Sequence, residues 1–321
     1  MRALLLVNPK ATTTTGRSRD VLARALRSEV DLTIEYTRRR GHAVALARAS
    51  VERGYDLVVT LGGDGTVNEA VNGLMTAGPA GADPVRSPDE RLSADRLPAL
   101  AVVPGGSTNV FARALGLPPE WPEATSMILE SLRLGRYRHI GLGLADDRYF
   151  TFCAGFGLDA AVIHRVERAR RRGRVSTPGL YLRSTVSQYF LGTDRRHPGI
   201  RLERPGEPPE DDLATVIIQN TAPWTYLGRR EINPNPRASF DLGLDLMALR
   251  QLHVPSTART VTQILSRRPD PRGRQVLRLH DVDEFVLVSS RPQAFQLDGD
   301  YLGEREKVRF TSVNQALRVA C

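Results

Sequence analysis

Three short stretches of this chain hold residue types that could do chemistry on a phosphate. The first is Leu57 to Leu74, LVVTLGGDGTVNEAVNGL, where an apolar strand run enters Gly62-Gly63-Asp64-Gly65-Thr66 and leaves as a helix-patterned segment from about Val67. A bend this sharp needs glycine, and peptide N–H groups approach a phosphate closely only where no Cβ stands in the way. The helix that follows directs its positive end at the same spot. Asp64, in mid-turn, is a carboxylate suited to Mg²⁺ or to a hydroxyl proton. The second stretch, Pro104-Gly105-Gly106-Ser107-Thr108-Asn109, again joins a strand, Leu100 to Val103, to a helix-like segment beginning at Val110. Two such turns in one sheet can converge on one ligand. The third, Gln296-Leu297-Asp298-Gly299-Asp300, places two carboxylates around an Asp-Gly pair, a good hairpin turn that can also aim acids. Neither G-x-x-x-x-G-K-[ST] nor the protein-kinase glycine lid occurs at these turns, so a phosphate here would be held by backbone amides with little lysine.

The elements that must position these residues are legible from period and length. Ala3 to Val7 is an apolar run too short for a helix and reads as a buried parallel strand, ending in Asn8-Pro9. Helical spacing over Ser18 to Leu26, a strand over Leu32 to Tyr36, a helix over Gly41 to Val51 and the strand before Gly62 continue a βαβα pattern. This predicts an α/β nucleotide-binding domain with a parallel sheet, whose ligands lie beyond the C-terminal strand ends. Gly78 to Pro98 has no period and reads as a surface insertion. After a helix at Trp121 to Leu134 the texture changes to short strands: Arg138 to Leu144, Tyr149 to Ala154, Leu213 to Gln219, Leu244 to Leu249, Val276 to His280 and Glu284 to Val288. We therefore expect an α/β domain over 1–136 and an antiparallel, β-sandwich-like domain over 137–321, with the last residues able to pack back on the first.

GGDGTVNEAVNGL resembles the signature of the diacylglycerol kinase catalytic-domain superfamily, which includes bacterial lipid kinases, sphingosine kinases and, more distantly, NAD kinases. The resemblance extends along nearly the whole chain. It implies an ATP-dependent lipid kinase that transfers the γ-phosphate to the hydroxyl of diacylglycerol or a related lipid alcohol, with an active site in the cleft between domains. It implies ATP and Mg²⁺ as cofactors. By the resemblance, Asn8, Thr37, Gly62, Gly63, Asp64, Gly65, Thr66 and Glu69 lie at the nucleotide, as do Gly106, Asn109 and Ser107, the last standing where the family usually has threonine. Asp298 and Asp300 fall at the phosphoryl-transfer site, Asp300 replacing the family's glutamate, and the proton acceptor stays open between Asp64, Asp298 and Asp300. Gly155-Phe156-Gly157-Leu158-Asp159-Ala160 also fits a dinucleotide G-x-G-x-x-A, but arginines rather than a second strand and a lone acid follow it. The family reading instead starts a helix there, with Asp159 facing the cleft or serving as a helix N-terminal acid. Where the family has an aspartate for a structural Mg²⁺, this chain has Leu242; either Asp241 substitutes or the site is lost.

Two other functions stay in view. A soluble-substrate kinase of the NAD kinase branch shares GGDG, although Asn68-Glu69 and Val71-Asn72-Gly73 look like the lipid branch. A nucleotide-binding regulator without turnover is motivated by Leu242 and Asp300.

Composition bounds partners and location. The 321 residues include 45 basic and 36 acidic side chains, net +9, and Lys10 and Lys307 are the only lysines. Six arginines between Arg165 and Arg174 make the strongest local positive charge and are expected either to be solvated or to dock on anionic phospholipid headgroups. No stacking aromatics are interleaved with them, so nucleic acid is not expected as a partner. Cys153 and Cys321 do not suggest a disulfide framework. MRALLLVNPK is too short in apolar residues for a signal peptide, and no run approaches a membrane span. The expected location is cytoplasmic, peripheral at the inner membrane surface where a lipid substrate would be met. The oligomeric state, a homodimer included, is left open.

Overall fold

The computed structural model of the chain describes residues 1–12, 16–77, 93–171, 184, 187–189 and 198–321. The chain divides into two compact units. One comprises 1–142, 147–149 and 314–321, the other 143–146 and 150–313.

The first unit is built on β1 (Arg2–Val7), β2 (Asp31–Tyr36), β3 (Leu57–Gly62) and β4 (Ala99–Pro104), all parallel, in the order β4-β3-β1-β2. Registers such as Leu5↔Val59 and Val59↔Ala101 align the strand ends. Every residue of β3 and β4 is buried, as central parallel strands require, whereas β2 at the edge alternates. The helices are α1 (Gly16–Arg27), α2 (His42–Glu52), α3 (Asp64–Met75), α4 (Val110–Ala114) and α5 (Trp121–Arg133). The β1-to-β2 step runs opposite to the β2-to-β3 and β3-to-β4 steps, so right-handed crossovers put α1 on one face and α2 with α3 on the other. At the α2–α3 crossing, a Cβ on Gly73 would lie 2.4 Å from the Val44 carbonyl oxygen, and glycine there lets the two helices approach. The chain end joins this sheet, Val319 pairing parallel with Leu100.

The second unit is antiparallel. Its strands are β7 (Cys153–Gly157), β8 (Ile200–Glu203), β9 (Glu210–Leu213), β10 (Thr215–Gln219), β13 (Leu244–Leu249), β14 (Val276–Val282), β15 (Glu284–Leu297) and most of β16 (Asp300–Val319), with a small hairpin of β11 (Thr225–Leu227) and β12 (Arg230–Ile232). Two short strands, β5 (Arg138–Ala145) and β6 (Arg148–Phe150), carry the chain between the units. The helices are α6 (Leu158–Arg171) and α7 (Val254–Ile264). β15 is irregular between Val288 and Gln293, and it pairs with β8 before that point and with β7 after it. Phe150, Phe156, Phe285, Phe295 and Phe310 fill the core enclosed by these strands, Phe285 stacking on Phe310 at 5.0 Å between ring centroids.

Several elements differ from expectation. The strand expected over Tyr149 to Ala154 is broken at Thr151-Phe152, where three successive amides turn toward one carboxylate, that of Asp298. β15 and β16 are far longer than sequence patterning indicated, because their bulges hide the alternation. Ala94 and Leu97, at the end of the expected insertion, are buried around a short helical turn, and residues 78–92 lie outside the described residues. The same holds for most of the helix expected over Pro178 to Leu191 and for Arg172 to Arg174.

Candidate functional site

The first unit changes winding direction between β1 and β3, which is where an open α/β sheet binds ligands. Asn8 follows β1, its amide donating to the Leu61 carbonyl at 2.9 Å. Its side-chain Nδ2 donates to Thr66 Oγ1 at 3.0 Å, and its Oδ1 accepts from the Lys10 amide at 3.0 Å. Gly62 makes this junction possible, since a Cβ there would lie 2.7 Å from Thr66 Oγ1. Gly65 falls in the first turn of α3.

The two glycine turns meet. Gly105 N–H donates to Gly62 O at 2.8 Å, and a Cβ on Gly106 would stand 2.6 Å from Gly63 Cα. The reverse substitution is milder, a Gly63 Cβ reaching Gly106 Cα at 3.2 Å. Asn109 shapes the second turn from a left-handed backbone (φ 50), accepting from Gly106 N–H at 2.8 Å and donating to Gly106 O at 3.0 Å. Ser107 is exposed at the rim. The result is a strip of backbone without side-chain cover beside the positive end of α3, a fit for an anionic phosphate group.

Two carboxylates expected at the nucleotide also bond to backbone amides. Asp64 takes the first two amides of α4, Val110 N–H on Oδ2 and Phe111 N–H on Oδ1, each at 3.1 Å. It thereby ties the α3 start to the second turn. Glu69 caps α2, accepting from Gly41 N–H at 2.7 Å and Ala43 N–H at 3.1 Å. Thr37 lies just past β2 with its amide donating to Val7 O at 2.9 Å, beyond the same strand ends as Asn8. Asn68 and Asn72, which sequence marked only as a branch signature, both donate to Tyr149 O, at 3.0 and 2.9 Å.

In the second unit, Asp298 and Gly299 are the central residues of a two-residue hairpin between β15 and β16, with φ 49 and 80. Positive φ at both positions is the type I′ geometry that Asp-Gly favours. The Asp298 carboxylate is buried and accepts four hydrogen bonds: Thr151 N–H at 2.8 Å, Thr151 Oγ1–H at 2.9 Å, Phe152 N–H at 3.0 Å and Cys153 N–H at 3.1 Å. A carboxylate so surrounded by donors holds the fold together and is poorly placed to take a proton from a substrate. Asp300, at the exit of the turn, is partly exposed. Tyr301 beside it stacks on His164 of α6, ring centroids 4.0 Å apart, and donates its amide to Glu167 Oε1 at 3.1 Å.

Asp159, which sequence left between two roles, opens α6 next to this turn. Gln296 donates to Asp159 Oδ2 at 2.9 Å and accepts from Gly299 N–H at 2.9 Å, linking the acid to the hairpin. Gly155 leaves the space, since a Cβ there would sit 2.0 Å from Asp159 Oδ2. Burial raises the Asp159 carboxyl from the ordinary 3.8 to about 6, against the lowering effect of the Gln296 hydrogen bond. The folded chain therefore holds this proton more tightly than the unfolded one. The associated stability is fully present below about pH 4 and is lost as pH rises through about 6. Asp159→Asn, which cannot ionise, will flatten that part of the stability profile in thermal melts from pH 4 to 7; an unchanged slope would refute the assignment. Gln296 carried no sequence signal, because the acid it donates to lies 137 residues away.

Asp241 is exposed, and the buried Asp245 accepts from Asp281 N–H at 3.1 Å and lies 2.7 Å from His280 Nδ1. Among the described residues no three His, Cys, Asp or Glu side chains converge as a metal site.

Residues 2–144 match the diacylglycerol kinase catalytic domain. A Bacillus subtilis (strain 168) diacylglycerol kinase is 26% identical over 314 residues, covering 94% of this chain and 90% of its own. A Chromohalobacter salexigens protein named "Probable lipid kinase YegS-like" is 34% identical over 154 residues, 48% of this chain and 43% of its own length, so the chain matches under half of that relative. The crystal structure of a diacylglycerol kinase from Bacillus anthracis str. Sterne superposes with a TM-score of 0.69 at 19% identity, covering 99% of this chain and 96% of the other, a likeness of fold. The meeting glycine turns and these matches agree: over residues 2–144 the chain is similar to the diacylglycerol kinase catalytic domain.

Proposed function

We propose that the chain is an ATP-dependent lipid kinase acting on the hydroxyl of diacylglycerol or a related lipid alcohol. The observation that carries this reading is the close backbone approach of Gly63 and Gly106, which leaves a side-chain-free cradle. ATP would supply the phosphoryl group, held along the backbone of the Gly62 to Thr66 and Gly105 to Ser107 turns with the Asn8 side chain beside them. Such a transfer needs position and charge neutralisation more than covalent help. Asp64 and Asn109 keep the two turns in register. Asp300 is assigned as proton acceptor, with Asp159 beside the same hairpin orienting the hydroxyl. Asp298 fixes the turn that presents Asp300. Mg²⁺ would enter with the nucleotide, since the chain offers it no cage of its own among the described residues. Among those residues no helix is long and apolar enough to cross a membrane, and the enzyme is proposed to meet its lipid from the cytoplasmic face.

The test is transfer of labelled γ-phosphate from ATP to a panel of diacylglycerol, monoacylglycerol, sphingosine, ceramide, an isoprenoid alcohol and NAD. Labelled lipid is expected, with Asp300→Asn lowering kcat by about 100-fold or more and leaving the melting temperature in place. Label in NAD alone would move the chain to a soluble-substrate kinase, and nucleotide binding without transfer to any acceptor would make it a regulator.

A further inference from the structure

The second unit has a surface that the kinase reading does not use. α7 reads Val254-Pro-Ser-Thr-Ala-Arg-Thr-Val-Thr-Gln-Ile and buries Thr260 and Ile264. Ile264 packs with Ile217, Ile232 and Met247, so the inward face of the helix is accounted for. Val254, Ala258, Val261 and Leu265 recur at spacings of four, three and four, which places them on one stripe. That stripe faces solvent: Val254 and Val261 are each 45% exposed and Leu265 38%. Leu227, at the end of β11 before the turn of the β11–β12 hairpin, is 49% exposed. Four of the nine large hydrophobic side chains exposed among the described residues thus lie on α7, at its C-terminal end and on this hairpin. Isolated exposed apolar residues mean little, but a helix with a second, outward apolar stripe is unusual in a chain this polar.

Beside the stripe is a basic cavity of about 640 Å³, lined by Arg229, Arg230, Glu231 and Asn233 from the hairpin and by Ser266, Arg267 and Pro269 just after α7. None of the three arginines has an ion-pair partner among the described residues, although arginine–carboxylate pairs such as Arg250–Glu210 and Arg278–Asp270 form elsewhere. Asn233 is 8% exposed and its Oδ1 is a buried acceptor without a hydrogen-bond partner. Guanidinium groups suit a phosphate oxygen, and an unfilled amide oxygen suits a hydroxyl beside it. Glu231 in the same wall disfavours a fully ionised phosphate and is better tolerated by a singly charged phosphodiester.

We propose that α7 and the β11–β12 hairpin form a docking face for an anionic phospholipid membrane, and that the arginine cavity receives one phosphodiester headgroup bearing a hydroxyl, of the phosphoglycerol kind. The apolar stripe enters the headgroup boundary while the arginines meet the lipid's charge, the pattern of an interfacial helix. Arg165 is not part of this face, being hydrogen-bonded to Ser187 and Gln188.

The experiment is cosedimentation of the full chain, without nucleotide, with vesicles of phosphatidylglycerol in phosphatidylcholine and with phosphatidylcholine alone. Because no turnover is read, its failure is separable from failure of the kinase reading. The wild type is expected to bind the anionic vesicles selectively. Arg229→Ala/Arg230→Ala/Arg267→Ala is expected to reduce partition on the order of 100-fold, and Val261→Ser/Leu265→Ser at least fivefold, with melting temperatures checked for each. Unchanged partition in the arginine variant would overturn the proposal. Loss in that variant without loss in the Val261/Leu265 variant would overturn the docking face and leave an anion pocket. Calorimetric binding of soluble glycerol 3-phosphate or inorganic phosphate, with vesicle partition insensitive to both variants, would assign the cavity to a free anion instead.

Discussion

Asp298→Asn will destabilise the protein by about 3 kcal/mol or more, seen as a large drop in melting temperature, whatever it does to turnover. The backbone is not the cause, because asparagine tolerates the left-handed conformation (φ 49) that Asp298 adopts. The cause is hydrogen bonding. The carboxylate receives three backbone amides and one hydroxyl from Thr151 to Cys153, and an amide side chain presents two donors to some of those donors. A buried N–H deprived of its acceptor keeps the full desolvation cost. The contrast with Asp300→Asn is the informative part: one change should cost the fold, the other the chemistry. Wild-type melting of Asp298→Asn with abolished turnover would return Asp298 to the reacting centre.

Gly106→Ala will lower nucleotide affinity by about 10- to 100-fold, the effect of forcing roughly 1–3 kcal/mol of overpacking into the cradle. The new Cβ would stand 2.6 Å from Gly63 Cα and 2.9 Å from Asn109 Oδ1. The nearer atom is backbone, so the turns must separate, and Asp64 would lose its register with the α4 amides. Gly63→Ala, whose Cβ reaches Gly106 Cα only at 3.2 Å, should be weaker, and Ser107→Ala weaker still because Ser107 is exposed. Calorimetric titration with ATP orders the three variants. Wild-type affinity in Gly106→Ala would mean that the nucleotide binds elsewhere.

Local pattern made much of this protein readable. The runs at Ala3 to Val7, Leu57 to Leu61 and Leu100 to Val103 could only be buried strands, and the glycine turns after two of them marked the ligand end of a parallel sheet. Asp298-Gly299 as a hairpin was equally local, since an Asp-Gly pair carries its turn type with it. Leu244 to Leu249 was found at its observed bounds because all six of its residues are buried in one unbroken run, even though its pairing shifts register between Leu244 and Leu246.

What the sequence by itself determined was therefore chemistry bound to short-range geometry: which turns can accept a phosphate, which family they resemble, and where the β-rich half begins to alternate. Only the tertiary structure decided what each carboxylate is bonded to. Asp64 and Asp298 read as candidate acids and Glu69 as a nucleotide contact, yet their oxygens accept from amides 46, 146 and 28 residues away, those of Val110, Phe152 and Gly41 among them. Asp159, which sequence left between the cleft and a helix-end role, has its proton affinity raised by burial, against the lowering hydrogen bond from Gln296, 137 residues distant. The outward stripe of α7 was likewise hidden, because helical period shows an apolar face without saying whether the core or the solvent receives it. The reason is common to all of these. A residue's type and spacing set what it can bond to, but burial and long-range donors decide what it does bond to, and neither is encoded within a few residues of the side chain concerned.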